Sequence, residues 1–343
     1  MKSKKVIIRI ITFVMLIVSL AFVPWGIVKM WASPLSETIQ MDIESAVTNH
    51  NLDGVIVYVN QGGKASFYSA GWKDRDKKIE TDPESLFKIA SISKLYIAVA
   101  ATKLIDEQRL NLDDTLSTLM PEYANQIEFS DKISLRMLIK HRSGIPDFIK
   151  LKAFPWSNLP ISNKDALKLV LGMSADFSPD SKYAYSNTNY LLIGEIMDKA
   201  LGYSHQQYIK EEILEPLNLT NTFSFLKEVN QQNVMSGYDV GYDGDLKLSD
   251  YTIPGGSMVA TAEDVGIFLR ALNDGSLMTE SERTLYSELY VYEHTGLLPG
   301  YQSIARYDKE RDTVVILFVN TSGGDSWTKI EILYNRIMKI LSK

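Results

Sequence analysis

Strand-like segments stand only at the two ends of this chain, so any sheet must be assembled from residues nearly a whole chain apart. Near the start, Val55 to Val59 and Ala65 to Ala70 flank the turn Gln61-Gly62-Gly63, a hairpin pattern. Near the end, Ser303 to Tyr307 and Thr313 to Val319 flank a polar turn. Trp327, Ile330, Leu333, Ile337 and Leu341 then recur at helical spacing. Helical periodicity fills Pro34 to His50 and, between the strand groups, Lys94 to Asp106, Leu135 to His141, Ala166 to Leu171, Thr188 to Leu201 and Ala262 to Leu272. The fold class read from this is α+β, an α/β sandwich: one antiparallel sheet built from both chain ends, flanked by helices, with a mostly helical inserted domain. The expected boundaries are an N-terminal segment over 1–33 and one domain over 34–343, its sheet from about 34–90 and 285–343 and its helical insertion about 91–284. No repeat and no linker rich in Gly, Pro or Ser divides it further. The junction of sheet and helices is a common place for a cleft.

The chain has 343 residues, 45% of them apolar and 23% charged, enough for a sizeable core. A formal net charge of -6 and no Lys/Arg stripe outside the first residues leave no electrostatic footprint for nucleic acid. Without cysteine there is no thiol nucleophile, zinc-thiolate site or iron–sulfur ligation. Lys2, Lys4, Lys5 and Arg9 precede an uncharged stretch from Ile10 to Val28, close to the roughly 20 residues that span a bilayer. Trp25 to Pro34 lacks a clean small-residue cleavage pattern, so the segment reads as an uncleaved anchor. Pro24 and Gly26 shorten its confident apolar run to Ile10 through Val23, a length at which a cleavable signal competes. The positive-inside rule then places the domain outside the membrane. Removing the five cations Lys2, Lys4, Lys5, Arg9 and Lys29 takes the charge of the exported part from -6 to -11.

The sequence holds no G-x-S-x-G elbow, phosphate loop or H-E-x-x-H, and only four histidines. No cofactor or metal is therefore expected. What remains is Ser-x-x-Lys, in which an amine one helical turn from a hydroxyl can take its proton. It occurs at Ser85/Lys88, Ser91/Lys94, Ser224/Lys227 and Ser326/Lys329. Only Ser91/Lys94 sits where a turn enters a strongly apolar helix, which would aim the helix N-terminus at the nucleophile and bury the amine. A helix cap at Ser91 and a solvated Lys94 are the plainer alternative. Tyr185-Ser186-Asn187 stands before another helix, where a phenol can shuttle protons and an amide can hold a carbonyl. His294-Thr295-Gly296 lies beside the C-terminal strands, with a glycine where backbone can approach a ligand closely.

In this order, Ser91-x-x-Lys94, Tyr185-x-Asn187 and His294-Thr295-Gly296, the chain resembles the serine beta-lactamase and penicillin-binding protein superfamily. It is most similar to the branch of class C beta-lactamases and D-alanyl-D-alanine carboxypeptidases. Phe87 to Lys94, Leu138 to Asp147, Gly255-Gly256 with Thr261 to Asp264, and His294 to Tyr301 are phrases of that family. The resemblance implies that Ser91 attacks a carbonyl and forms an acyl-enzyme, while Lys94 and Tyr185 move its proton. It implies that Asn187 orients the substrate amide, that the backbone N–H groups of Ser91 and Leu297 hold the oxyanion, and that His294 and Thr295 meet a substrate carboxylate or the proton network, beside Gly296. His141 would be structural. His294 stands where class C enzymes usually carry lysine, which leans toward carboxypeptidase or esterase-like members. Leu297 is bulkier than expected beside the oxyanion donors. The partner implied is a small peptide, amide or ester, including a peptidoglycan stem peptide. An esterase or beta-lactamase, or a wall protein that acylates without turnover, are the other readings.

Overall fold

The computed structural model describes residues 2–343, with the side chains of 2–3 and 6–11 outside the description, so the expectations on the side chains of Lys2, Arg9 and Ile10 fall outside the described residues. Helix α1 (Lys2–Leu20) and helix α2 (Trp25–Ala32) precede the domain, and α3 (Ile39–His50) opens it, capped where the Thr38 hydroxyl accepts from the Met41 N–H. The uncharged N-terminal stretch is not one helix: Pro24, which lacks an N–H, ends the run. Thr12–Leu20 and Trp25–Ala32 meet at 77°, and no single helix among the described residues is long and apolar enough to cross a membrane.

The main sheet has six strands: β1 (Gly54–Gln61), β2 (Lys64–Asp74), β3 (Ile79–Glu80), β4 (His294–Leu298), β5 (Tyr301–Asp308) and β6 (Thr313–Val319). Their order is β3-β2-β1-β6-β5-β4 and every pairing is antiparallel. The two chain ends meet at the centre, Val55 opposite Val319 and Gln61 opposite Thr313. Gly62 and Gly63, at φ +56° and +82°, supply the left-handed pair that a tight hairpin turn needs between β1 and β2. The α+β fold with a sheet drawn from both ends is thus the observed one.

Both faces of the central strands are buried, which explains why Val55–Val59 and Val314–Val319 read as continuous apolar runs. On one face Val55, Val57, Val315 and Leu317 pack against Ile43 and Ala46 of α3 and Ile330, Leu333 and Ile337 of α8 (Ser326–Leu341). On the other, Ile56, Tyr58, Ile316 and Phe318 join the larger core with α4 (Ser93–Asp106), α5 (Asn187–Leu201), α6 (Ala262–Asp274) and α7 (Glu280–Leu289). Tyr96 of α4 stacks on Phe268 of α6 with ring centroids 3.7 Å apart. α4 is buried nearly all round, as the apolar run Leu95–Ala101 at its centre requires.

One ion pair ties the chain ends together. Asp42 on α3 is almost wholly buried and takes Arg336 of α8, whose remaining N–H groups donate to the carbonyls of Ser33 and Pro34. Arg336→Leu leaves that carboxylate buried without its cation, and should cost about 3–5 kcal/mol in urea unfolding.

Candidate active site

The nucleophile candidate sits at the step from sheet to helical layer. Ser91 lies in a short 3-10 turn, Ala90–Ile92, directly before α4. Ala90 adopts φ +51°, a left-handed conformation that an L-residue accepts at a cost of about 1 kcal/mol or more. The turn is braced: the Ser93 hydroxyl donates to the Ala90 carbonyl at 2.6 Å and accepts from the Met258 N–H at 3.3 Å.

Lys94, one turn on, is fully buried. Its Nζ lies 3.1 Å from Ser91 Oγ, 2.9 Å from Asn187 Oδ1 and 2.6 Å from the Gly255 carbonyl. Burial, opposed only by the charge of Asp147, pulls its pKa down to about 7. A neutral amine donates to Asn187 and Gly255 and turns its lone pair on Ser91; an ammonium fills all three positions as a donor. Gly255, at φ +80°, has to be glycine, since a Cβ would press on Lys94 Cγ and Tyr190 Cβ at 3.0 Å.

Tyr185 donates its hydroxyl to Ser91 Oγ at 2.9 Å. Burial raises its pKa, so the phenol holds its proton at neutral pH. His141 stacks beneath it, ring centroids 4.5 Å apart, and accepts from the Ser186 N–H through Nδ1 at 3.2 Å. Burial first, then the neighbouring Lys94 charge, pulls His141 down to about 3, so it stays a neutral scaffold.

Asn187, expected to orient a substrate amide, is itself held in place. Nδ2 donates to both carboxylate oxygens of buried Asp147 at 3.2 Å, and the Asn187 N–H donates to Asp147 Oδ1 at 3.1 Å. This fixes the amide with Oδ1 toward Lys94. Sequence reasoning did not single out Asp147 for the site, although it ends the family phrase Leu138 to Asp147.

His294 opens β4, the edge strand. Burial and the Lys94 charge depress its pKa to about 4, so the ring is neutral. Nδ1–H donates to the Thr295 carbonyl at 2.6 Å, and Nε2 accepts from the Tyr290 hydroxyl at 3.0 Å. A neutral ring so engaged is no cation for a substrate carboxylate. Tyr290 carries no motif and was not legible in advance. Gly296 faces the nucleophile turn: a Cβ there would collide with the Ile89 carbonyl and Ser303 Oγ and sit 3.2 Å from Ala90 Cβ. Leu297 is on the same strand, paired with Gln302, and its side chain is exposed. A cavity of about 440 Å³ adjoins the constellation, with Tyr183, Tyr185, Tyr290, His294 and Thr295 in its wall.

The other three Ser-x-x-Lys lysines have different partners. Lys88 donates to the carbonyls of Leu246 and Ser249, Lys227 lies over the Phe225 ring at 4.9 Å, and Lys329 pairs with Asp325. No group of three or more His, Asp or Glu side chains among the described residues is placed to hold a metal.

A family model described as Beta-lactamase matches residues 39–291, taking in Ser91, Lys94, Tyr185 and Asn187 and stopping just short of His294. The chain is 26% identical over 219 residues to penicillin-binding protein 4* of Bacillus subtilis, covering 63% of this chain and 47% of that protein. It is 25% identical over 318 residues to protein flp of Staphylococcus aureus, covering 83% and 63%. The chain therefore spans about half to two thirds of the length of these relatives. Among solved structures, D-amino acid amidase from Ochrobactrum anthropi SV3 superposes with TM-score 0.77 at 23% identity, covering 90% of this chain and 99% of that one. The octameric penicillin-binding protein homologue from Pyrococcus abyssi gives 0.75 at 22%, covering 89% and 77%.

Asp147 is the charge that works against the depressed pKa of Lys94. Asp147→Asn removes it, so Lys94 should lose its proton at lower pH. The acid limb of kcat/KM is expected to move down in pH, as a pH–rate profile against the parent would show. An unmoved limb would separate Asp147 from the Lys94 titration.

Proposed function

The chain belongs to the Beta-lactamase family, a family of serine hydrolases, and from that premise we propose that it is an extracytoplasmic enzyme that forms an acyl-enzyme at Ser91 on amide or peptide substrates. The observation that carries this is the desolvated Lys94, 3.1 Å from Ser91 Oγ and poised near neutral pH. Neutral Lys94 takes the Ser91 proton as Oγ bonds to the substrate carbonyl carbon. The backbone N–H groups of Ser91 and Leu297 receive the oxyanion. Tyr185, a protonated phenol already directed at Ser91, passes a proton to the leaving nitrogen as the C–N bond breaks, and Lys94 restores it. Water then repeats the sequence, releasing a carboxylic acid and free Ser91. Asn187, oriented by Asp147, accepts from Lys94 through Oδ1 and stands where it would also orient the substrate amide.

The neutral state of His294 bears on the substrate. A carboxypeptidase acting on a D-alanyl-D-alanine terminus must accommodate a free carboxylate, and His294 brings it no charge. This supports substrates without a terminal carboxylate, such as D-amino-acid amides, ahead of carboxylate-terminated stem peptides; small esters are the second reading on the same ground. The domain over 34–343 carries this chemistry, and residues 1–33 attach it to the outer side of a membrane, a reading supported by the exposed apolar residues Phe13 to Leu20.

Intact mass of the protein treated with a penicillin, an activated ester and a D-amino-acid amide should show an adduct or turnover in the parent and none in Ser91→Ala. An adduct that persists in Ser91→Ala would remove Ser91 as nucleophile. Lys94→Arg, always charged, should lower kcat by about 10²–10⁴. In the parent, kcat/KM should rise with pH through about 7, since the reactive form is the deprotonated amine and its proton leaves as pH climbs past that value.

A further inference from the structure

Helix α2 has two apolar faces and only one of them is covered. On one side Met30 is buried in the second core beneath α3 and α8, with Ile27 half-buried beside it. The chain just after α2 is fastened there by Arg336, which takes the carbonyls of Ser33 and Pro34. On the other side Trp25, Val28 and Trp31, spaced by three, are exposed, Trp31 to 74%, with Phe22 before them at 82%. Single exposed apolar residues are ordinary, but an aligned pair of tryptophans on a docked helix is not. α1 continues this surface: Phe13 to Val18 and Leu20 are all exposed apolar residues, and the two helices stand at 77°. Insertion of the apolar end of α1 into a bilayer, without crossing it as a single helix, would leave α2, at 77° to it, close to the interfacial plane, where tryptophan rings concentrate. Beside Trp31 lies a cavity of about 630 Å³ lined also by exposed Lys339 and by Arg311, which is paired with Asp308 in the same wall; Lys29, exposed on α2 itself, lies outside that lining.

We propose that α2 is an interfacial helix that clamps the domain onto an anionic phospholipid surface through Trp25, Val28 and Trp31, with Lys29 and Lys339 meeting the phosphate headgroups. This rests on the membrane attachment read above and goes beyond it, because it makes the N-terminal segment a rigid bracket instead of a loose tether. The bracket also sets the direction in which the site faces. α2 packs on the α3 and α8 side of the sheet, whereas Ile89, Ala90 and Ile92 around the nucleophile belong to the core on the opposite side. Ser91 is therefore held off the bilayer by the sheet and its helical cover, and its substrates come from the aqueous or wall side, not from lipid-linked molecules in the membrane plane.

A chain without cysteine allows clean single-site labelling of the full-length protein. Val28→Cys and, on the rim of the catalytic cavity, Glu288→Cys are each labelled with a polarity-sensitive fluorophore and reconstituted in vesicles of phosphatidylcholine and phosphatidylglycerol carrying headgroup spin labels. The Val28 label should shift to the blue and be quenched at least twofold, the Glu288 label should do neither, and Trp25→Ser with Trp31→Ser should reduce the Val28 quenching. Vesicles that float with the protein while the Val28 label stays as wet as the Glu288 label would overturn the clamp and leave the attachment standing. Protein that does not float with vesicles would overturn both. Equal quenching on phosphatidylcholine alone would overturn the assignment of anionic lipid.

Discussion

An amine with no access to water governs this structure. Lys94 is enclosed by α4, α5 and the Gly255 turn, and burial without a directly bonded carboxylate costs the charged form enough to bring its pKa to about 7. Everything around it follows as compensation. Asn187 and the Gly255 carbonyl take two N–H bonds, Asp147 fixes which way the Asn187 amide points, and Ser91 is left facing the third position. A lysine in solvent would hold its proton and be no base; a lysine bonded to Asp147 directly would be locked as an ion pair. One intervening amide sets the balance between these.

The two histidines near Lys94 differ from it in their protonation. His141 and His294 both titrate well below neutrality because they are buried near the Lys94 charge. Neither carries charge at neutral pH: His141, expected from the sequence to be structural, is a neutral wall for Tyr185, and His294 is a neutral ring at the start of β4. Below about 4, where His294 gains its proton, the buried site would hold two cations together. The folded state binds those protons less readily than the unfolded chain, so stability falls as pH drops from the ordinary histidine value toward 4.

Much of this was legible in the residues. The both-ended sheet followed from apolar β-branched runs at Val55–Val59 and Thr313–Val319, because central strands must be apolar on both faces. Ser91 and Lys94 were separable from three chance repeats of their pattern by the apolar helix that follows, since only that context buries the amine. The alignment of Asn187 was not legible, because Asp147 reaches it from a loop forty residues away and no local spacing records that bond. Tyr290 escaped for the same reason: its partner His294 is near in sequence, but the ring orientation depends on the packing of Tyr190 and α7. The break in the N-terminal helix was foreshadowed by Pro24, although its angle was not.

The pairing of β1 with β6 also dictates when the site can exist. Val55 finds Val319 only after nearly the whole chain has been made, and closing a loop of that length delays the sheet's centre relative to the local helices. β4, which presses Gly296 against the nucleophile turn, joins the sheet through β5 and so waits for the same event. A Ser91–Lys94 turn without that strand lacks one wall, so the assembled site depends on closure of the sheet. Completion of the site is thereby tied by topology to the meeting of two segments far apart in the chain.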